Sequence, residues 1–156
     1  MKTNHMKIDT LILNGGGVLC CSYLGCIQYL IEHNYITEDL SSIQEIYCLS
    51  GGMIYIMPLL LGFSLNETKE LYLRIDESKI TPIESLSFSS LFETYGLFNN
   101  NYFSLCMSCI LNYLDLHKDL TLQELYEIKP ILLTVKVVNI SKNKELLINY
   151  KTHPNL

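Results

Sequence analysis

The sequence has little positive charge, a single arginine and no alanine. Eleven Lys and Arg residues face sixteen Asp and Glu residues, which gives a formal net charge of -5. Proteins that hold nucleic acid by its phosphates carry a basic patch or stripe, and no such stripe is present here. We therefore expect no nucleic-acid partner. We attribute the missing alanine to a compositional bias of the source genome rather than to function.

The sequence also lacks a long apolar run. The longest one, Met53 to Phe63, is shorter than the roughly 20 residues that span a bilayer, and it contains Pro58. The charged start, Met1 to Lys7, is not followed by the apolar segment and cleavage site of a signal peptide. We expect an intracellular protein without a transmembrane helix, and we keep peripheral contact with membranes as an open expectation.

No metal or cofactor site is predicted. Cys106 and Cys109 have C-x-x-C spacing, but they lie in a helical apolar pattern and lack a second pair of ligands. We interpret all six cysteines, among them Cys20, Cys21 and Cys26, as small buried hydrophobic residues in a reducing compartment.

The order of apolar segments predicts an α/β fold with a mostly parallel sheet flanked by helices. A chain of 156 residues, 49% hydrophobic and 17% charged, suits a single domain or part of one, and we assign residues 1–156 to it. Predicted strands cover 8–13, 45–49, 131–138 and 145–150, the last two paired. Predicted helices cover 23–31, 53–63, 66–75 and 105–114, with Asn66 as a cap and Pro58 kinking or shortening its helix.

Ser50 ends the second predicted strand, and two glycines follow it. Cys48, Ser50 and Gly52 occupy three key positions of a G-x-S-x-G nucleophile elbow, although Cys48 replaces the first glycine. In such an elbow a sharp turn exposes the serine oxygen, and the next N–H, here that of Gly51, faces a developing oxyanion. Alone, the match is weak.

A glycine run follows the first predicted strand. Gly15, Gly16 and Gly17 would present unpaired N–H groups at a helix N-terminus, where an anion binds. A mononucleotide loop needs a following lysine, and a dinucleotide loop needs glycine where Cys20 stands. An oxyanion loop needs only backbone, whereas a plain strand-to-helix turn needs no chemistry at all. The Ser50 elbow beside it favours the oxyanion interpretation.

Together these motifs resemble the patatin-like phospholipase family. The resemblance extends from about Lys7 to the C-terminus and includes the glycine loop, Gly25 and the elbow. It implies a three-layer αβα fold, incomplete at the C-terminus, and a serine lipid acyl hydrolase acting on a lipid acyl ester. Ser50 would be the nucleophile, with Gly15, Gly16, Gly17 and Gly51 as the oxyanion hole.

The chain departs from that family at the general base. The family pairs its serine with an aspartate in an Asp-Gly motif, and no Asp-Gly pair occurs in this sequence. Asp115, His117 and His153 follow Ser50 in an α/β-hydrolase order, but we interpret them as surface residues. A second chain could supply the missing part. The alternative hypothesis is a catalytically inactive, truncated patatin-like domain that binds lipid or a partner protein.

Overall fold

The computed structural model describes residues 7–74, 101–117 and 119–156. Contacts divide the chain into two compact units, one of Met1–Glu70 with Thr121–Leu156 and one of Leu71–Leu120. The assignment of residues 1–156 to a single domain stays a prediction.

The first unit alternates strands and helices. In chain order it contains β1 (Thr10–Leu13), a 3-10 helix (Gly17–Cys21), α1 (Ser22–Glu32), β2 (Glu45–Leu49), α2 (Gly51–Leu60) and most of α3 (Leu65–Leu73). After the second unit, which holds α4 (Asn101–Tyr113), it continues with α5 (Leu122–Ile128), β3 (Leu132–Asn139), a 3-10 helix (Ile140–Lys142) and β4 (Lys144–Ile148). The predicted strands and helices of the described residues all have counterparts in this order.

The four strands form one open sheet in the order β1-β2-β3-β4. β1, β2 and β3 are parallel, and β4 is antiparallel to β3, so the paired strands predicted at the C-terminal end are confirmed. The predicted α/β fold, with a mostly parallel sheet flanked by helices, is confirmed too. Parallel neighbours need a crossover connection, and right-handed crossovers that advance in one direction along a sheet lie on one of its faces.

One face of the sheet forms the core of the first unit. The register aligns Leu13, Cys48, Val135 and Ile148 across all four strands, and each of them is buried. The residues two positions before Leu13, Cys48 and Val135 share this face and are also buried: Leu11, Ile46 and Leu133. Burial of apolar surface at about 25 cal/mol per Å² makes this face the main source of stability.

The opposite face keeps apolar side chains in solvent. The register and the two-residue repeat of a strand place Ile12, Leu49, Val138 and Leu147 on this side, and they are 69%, 38%, 60% and 57% exposed. We call the surface formed by these four side chains the open face. All-parallel sheets are ordinarily covered on both faces, so an exposed apolar face on these strands is unusual.

A side-chain cap sets the start of α3. At α3 the Ser64 hydroxyl accepts from the Glu67 N–H (3.2 Å), while the Glu67 carboxylate accepts from the Ser64 N–H (2.8 Å). Ser64 is therefore the cap, and the prediction that Asn66 caps this helix is wrong, because the capping box needs the acid three residues after the cap.

α2 continues through Pro58 and ends at Leu60, earlier than the predicted Phe63.

The cysteine prediction is correct in part. Cys20 and Cys48 are buried, but Cys21 and Cys26 are exposed, so the prediction is wrong for those two. Both residues lie in the first turns of the helical stretch. Apolar residues are frequent there, so the sequence does not show which face of the helix packs against the core. The side chains of Cys106 and Cys109 lie outside the described residues.

In the second unit, α4 contains the helix predicted at 105–114, which is confirmed up to Tyr113. Ile110 and Leu111 on α4 are buried. The chain leaves this helix through Asp115, whose φ of 55° lies in the left-handed region. In the part of the chain that the structure describes, no helix is long and apolar enough to cross a membrane.

Candidate functional site

The turn between β2 and α2 has the geometry of a strained elbow. Ser50 connects the two elements with φ 49° and ψ -124°, a conformation that L-residues rarely adopt. The residue is exposed, while Gly51 and Gly52 directly after it are buried. A strained residue of this kind persists only where its surroundings enforce it, and it commonly marks a functional site.

The glycines around Ser50 are required by close backbone contacts. A Cβ at Gly52 would lie 2.3 Å from the carbonyl oxygen of Leu13, and one at Gly51 would lie 2.8 Å from the carbonyl oxygen of Gly17. A Cβ at Gly15 would lie 3.1 Å from the Cβ of Ser50. The structure therefore brings the glycine loop against the elbow, as the paired motifs predicted, and no larger residue fits at Gly51 or Gly52.

Two side chains hold the start of the glycine loop. The Tyr23 hydroxyl and the Cys20 thiol both donate to the carbonyl oxygen of Asn14, at 3.2 and 3.5 Å. Gly17, at φ 57°, occupies the left-handed region that glycine tolerates best. A Cβ at Gly16, the preceding residue, would lie 3.2 Å from the Cys20 sulfur. The loop is thus fixed in shape by residues that the elbow motif does not include.

Cys48 stands where the family places its first elbow glycine. Its side chain lies in the core, and burial raises the pKa of the thiol to about 12. The thiol is therefore neutral and unreactive at physiological pH. Cys48 serves as a core residue beneath the turn and offers no chemistry to Ser50.

No general base reaches Ser50 within the described residues. The Ser50 hydroxyl makes no hydrogen bond to any described group, whereas a serine nucleophile needs a base within about 3 Å. The histidines are engaged elsewhere. The ring of His33 stacks on Tyr29, His153 contacts the Thr152 hydroxyl at 3.0 Å, and in the second unit His117 accepts from the Asp119 N–H. Within the first unit, neither His33 nor His153 is brought to the serine.

Metal binding has no support in the geometry either. In residues 7–74, 101–117 and 119–156, no three His, Cys, Asp or Glu side chains come together in a way that could hold a metal ion. The glycine loop contributes only backbone groups.

Polar groups lie among the apolar side chains of the open face. The Tyr47 hydroxyl donates to the Glu45 carboxylate at 3.1 Å, and that hydrogen bond raises the pKa of the Tyr47 phenol. Lys136, aligned between Leu49 and Leu147, forms an ion pair at 2.9 Å with Glu145, which is aligned with Val138. The face thus combines exposed aliphatic side chains with one ion pair and one carboxylate that accepts a hydrogen bond from a tyrosine.

Sequence reasoning missed the open face. β1 reads Thr-Leu-Ile-Leu and β2 reads Glu-Ile-Tyr-Cys-Leu, so apolar residues occur at both odd and even positions. A strand covered on both sides gives the same pattern. No local pattern could have shown it, because the strand order that places the crossover helices on a single face is a property of the tertiary structure.

These features define the class of protein: an α/β domain with a singly wound, mostly parallel sheet, an elbow at one strand end and one exposed apolar face.

No family model matches the chain. It is 29% identical over 98 residues to an uncharacterized protein of Acanthamoeba polyphaga mimivirus, which covers 63% of this chain and 32% of that protein. The chain thus spans about a third of the length of this curated relative.

A solved structure shares the fold. The chain superposes with a TM-score of 0.57, at 18% identity, on a chain of the complex between full-length SpcU and full-length ExoU from the type III secretion system of Pseudomonas aeruginosa. The match covers 96% of this chain and 36% of that one. At this identity the likeness concerns the fold alone.

The prediction that this chain is a serine lipid acyl hydrolase is wrong. The solved complex shares only its fold with this chain, at 18% identity, so the hydrolase prediction gains no support from it. The site agrees with this correction, because no described group can take a proton from Ser50. A lipid substrate has no support in the structure.

Proposed function

We propose that this chain is a catalytically inactive domain of the patatin-like kind, and that it binds a partner protein through the open face of its sheet. One observation carries the proposal. Ile12, Leu49, Val138 and Leu147 project from one side of the sheet and are each more than a third exposed. Several exposed apolar side chains on one face of a sheet favour an interaction site there.

The energetics favour a partner at this surface. Ile12, Val138 and Leu147 are more than half exposed and Leu49 is 38% exposed, so a partner would gain for each a part of the about 1.5–3 kcal/mol of full burial. The face is built on strands, so its shape is set by the sheet and little order has to be gained on binding. The similar fold in a solved two-protein complex supports the same conclusion for this fold type.

Site-specific photo-crosslinking tests the proposal. A benzophenone amino acid is placed at Ile12 in one variant and at Tyr29 in a matched control, in cells that produce the protein. Tyr29 lies on α1 and is 54% exposed, so it samples an apolar surface outside the open face. We expect the Ile12 variant to form a discrete crosslink that the Tyr29 variant lacks.

The crosslinked protein is then identified, purified and titrated against the chain. Binding of the purified pair that weakens by about tenfold or more on Ile12→Ser, but not on Tyr29→Ser, supports the proposal. Identical crosslinks from both positions, or binding insensitive to Ile12→Ser, would overturn it.

A further inference from the structure

The hairpin between β3 and β4 ends in a turn of defined shape. The ladder of the hairpin closes with the pair Asn139 and Lys144. The Asn139 side-chain oxygen accepts from the Lys142 N–H at 3.0 Å, and the Asn143 N–H donates to the Ile140 carbonyl at 3.2 Å. Asn143 has a φ of 45°, in the left-handed region that asparagine tolerates better than most residues. The turn is therefore held in shape by its own hydrogen bonds.

This turn exposes an isoleucine beside two lysines. Ile140 is 88% exposed, the highest value among the large apolar side chains of the described residues. Lys142 and Lys144 are exposed as well, and neither pairs with an acidic group in the part of the chain that the structure describes. The nearest acid along the chain, Glu145, is neutralised by Lys136 at 2.9 Å. We call Ile140, Lys142 and Lys144 the hairpin tip.

The hairpin tip projects from the edge of the sheet at which the parallel strands end. β2 pairs with β3 as far as Leu49, which is aligned with Lys136, whereas β3 continues to Asn139. These three further residues extend over about 10 Å. Val138, which lies in this extension, is 60% exposed. The tip is thus presented beyond the end of β2.

Positive charge is concentrated in this part of the chain. Residues 129–156 contain five lysines and one acidic residue, although the whole chain has a net charge of -5. The opposite edge of the sheet, where the parallel strands begin, holds four acids with two lysines: Asp9, Glu38, Asp39 and Glu45, with Lys7 and Lys129.

The acids at that edge are too far away to cancel the charge of the tip. Glu45 is aligned with Leu132, seven residues before Asn139, so about 23 Å of strand separates the two levels. Charges in water are largely screened beyond about 8 Å at physiological ionic strength. The hairpin tip therefore keeps a positive potential of its own.

We infer that the hairpin tip binds an anionic membrane surface, with Ile140 inserted among the lipid head groups and Lys142 and Lys144 paired with their negative charges. Peripheral membrane contact combines buried apolar surface with cations that meet anionic lipid. Each contribution of this small tip is modest, so the binding is reversible and weakens with salt. The tip is separate from the four side chains of the open face, so this inference does not rest on the proposed function.

Two other anionic partners use the tip less completely. A nucleic acid would pair with the lysines, but the tip offers no aromatic side chain on which bases could stack, and Ile140 would stay in water. An acidic protein would need a pocket shaped for Ile140, whereas a bilayer accepts an aliphatic side chain without a matching shape. An anionic bilayer uses all three side chains.

Tryptophan fluorescence tests the insertion, because the chain contains no tryptophan. Ile140→Trp places a single probe at the tip. The matched control is Ile128→Trp at the end of α5, where Ile128 is 42% exposed. Both variants are titrated with vesicles of phosphatidylcholine, alone and mixed with phosphatidylserine. We expect the emission of Ile140→Trp to shift to shorter wavelength, and to be quenched by brominated lipid, when phosphatidylserine is present. The emission of Ile128→Trp should stay unchanged.

The contribution of the aliphatic side chain is measured in the chain without a probe. Vesicle flotation gives the bound fraction on vesicles that contain phosphatidylserine. Ile140→Ser should weaken binding by about tenfold, because the apolar part of the contact is lost. Ile128→Ser removes the same kind of side chain from the opposite edge and should leave binding unchanged. Urea unfolding of both variants checks that the fold is retained.

The contribution of the lysines is measured by the same assay. Lys142→Gln combined with Lys144→Gln should weaken binding by about tenfold or more. Lys7→Gln combined with Lys151→Gln removes the same charge from exposed positions outside the tip, and it should change binding by less than about threefold.

Several results would overturn the inference. The first is an absence of binding to vesicles that contain phosphatidylserine, and the second is equal binding to vesicles of phosphatidylcholine alone. Binding that survives Ile140→Ser, or that both lysine double variants weaken equally, would exclude the tip as the contact. The crosslink at Ile12 reports on the open face separately, so any of these results leaves the proposed function standing.

Fluorescence anisotropy with a single-stranded oligonucleotide and with a polyglutamate peptide examines the other two partners. Binding of either one that is lost in the Lys142→Gln and Lys144→Gln double variant, in a chain that does not bind vesicles, would replace the membrane by a nucleic acid or by an acidic protein. That result would also overturn the inference.

Discussion

At the scale of single residues, the turn at Ser50 is the most constrained part of the molecule. Its positive φ, 49°, is held by a buried strand on one side and a buried helix on the other. The backbone of Leu13 and of the glycine loop passes so close that Gly51 and Gly52 have no room for a side chain. The elbow is therefore a packing arrangement that stands without a catalytic base among the described residues.

Gly52→Ala should destabilise the protein strongly. Its Cβ would lie 2.3 Å from a backbone oxygen, so strand and helix must separate, at a cost of about 3 kcal/mol. Gly25→Ala is the matched control, because nothing lies within 4 Å of a Cβ there and α1 gains about 0.5–1 kcal/mol from alanine. Urea unfolding of both variants checks this. A Gly52→Ala protein as stable as the unchanged chain would refute the contact.

The cysteines should differ sharply in reactivity. Cys21 and Cys26 are exposed, whereas Cys20 and Cys48 are buried, and burial raises the pKa of the Cys48 thiol to about 12. Because the thiolate is the reactive form, iodoacetamide at neutral pH should modify Cys21 and Cys26 first. Mass spectrometry of the native and the urea-unfolded protein measures this. Modification of Cys48 in the native state at the rate of Cys26 would contradict the structure.

At the scale of elements, hydrogen bonds from a side-chain cap and from the C-terminal residues stabilise the start of α5. The Thr121 hydroxyl accepts from the Glu124 N–H (3.2 Å), and the Glu124 carboxylate accepts from the Thr121 N–H (2.8 Å), which completes a capping box. The next two N–H groups, of Leu122 and Gln123, donate to the carbonyls of Leu156 and Pro154. The C-terminal residues thus satisfy the donors that a helix start leaves unpaired.

Thr121→Ala should lower the free energy of unfolding by about 1 kcal/mol, because the cap oxygen is lost from α5. Thr121→Ser keeps that oxygen and should change little. Thermal or urea unfolding followed by circular dichroism compares the two. Equal losses in both variants would point to the threonine methyl group rather than to the cap.

The turn before β2 should make stability depend on pH. Hydrogen bonds from the Ser41 N–H and from the Ser41 and Thr37 hydroxyls hold the pKa of Asp39 at about 2, below 3.8. A lowered folded-state pKa stabilises the fold above the unfolded value, and this contribution is lost as the pH falls from about 4 through about 2. Asp39→Asn should therefore be less stable than the unchanged chain at pH 6.

Urea unfolding at pH 6 and pH 3 measures this difference, which should shrink at the lower pH. Glu38→Gln, a neighbouring exposed change, serves as the control for general charge effects. A gap between Asp39→Asn and the unchanged chain that grows on acidification would show that the sign is wrong.

At the scale of the whole molecule, one sheet face forms the core and the other remains open. The elbow looks catalytic in sequence, but the described residues bring no base to it. The proposed function therefore lies at the sheet surface rather than at the strand end. The Ser50 turn keeps its shape because the buried strand β2 and the buried helix α2 hold it from both sides.

The absence of hydrolase chemistry can be measured directly. A fluorophosphonate probe reacts appreciably only with an activated serine, so the purified chain should show no more labelling than Ser50→Ala. A known serine hydrolase under the same conditions provides the positive control. Labelling that depends on Ser50 would show an activated serine and contradict the proposal of a catalytically inactive domain.

The sequence by itself determined the order of elements and the local turns. The glycine loop, the elbow and the paired C-terminal strands follow from residues that are neighbours in the chain, where glycine freedom and two-residue alternation act directly. The proximity of Gly15 to Ser50 was predictable as well, because both follow parallel strands that end at the same edge.

Only the tertiary structure decided which apolar residues are covered. Ile12 and Leu13 are equally apolar in sequence, yet Ile12 is 69% exposed and Leu13 is 5% exposed. Their difference depends on where helices from distant parts of the chain pack. Whether a base reaches Ser50 is decided in the same way, because a base must come close in space while it can lie anywhere in the sequence. Burial and catalysis both depend on long-range contacts, and these are absent from any local pattern.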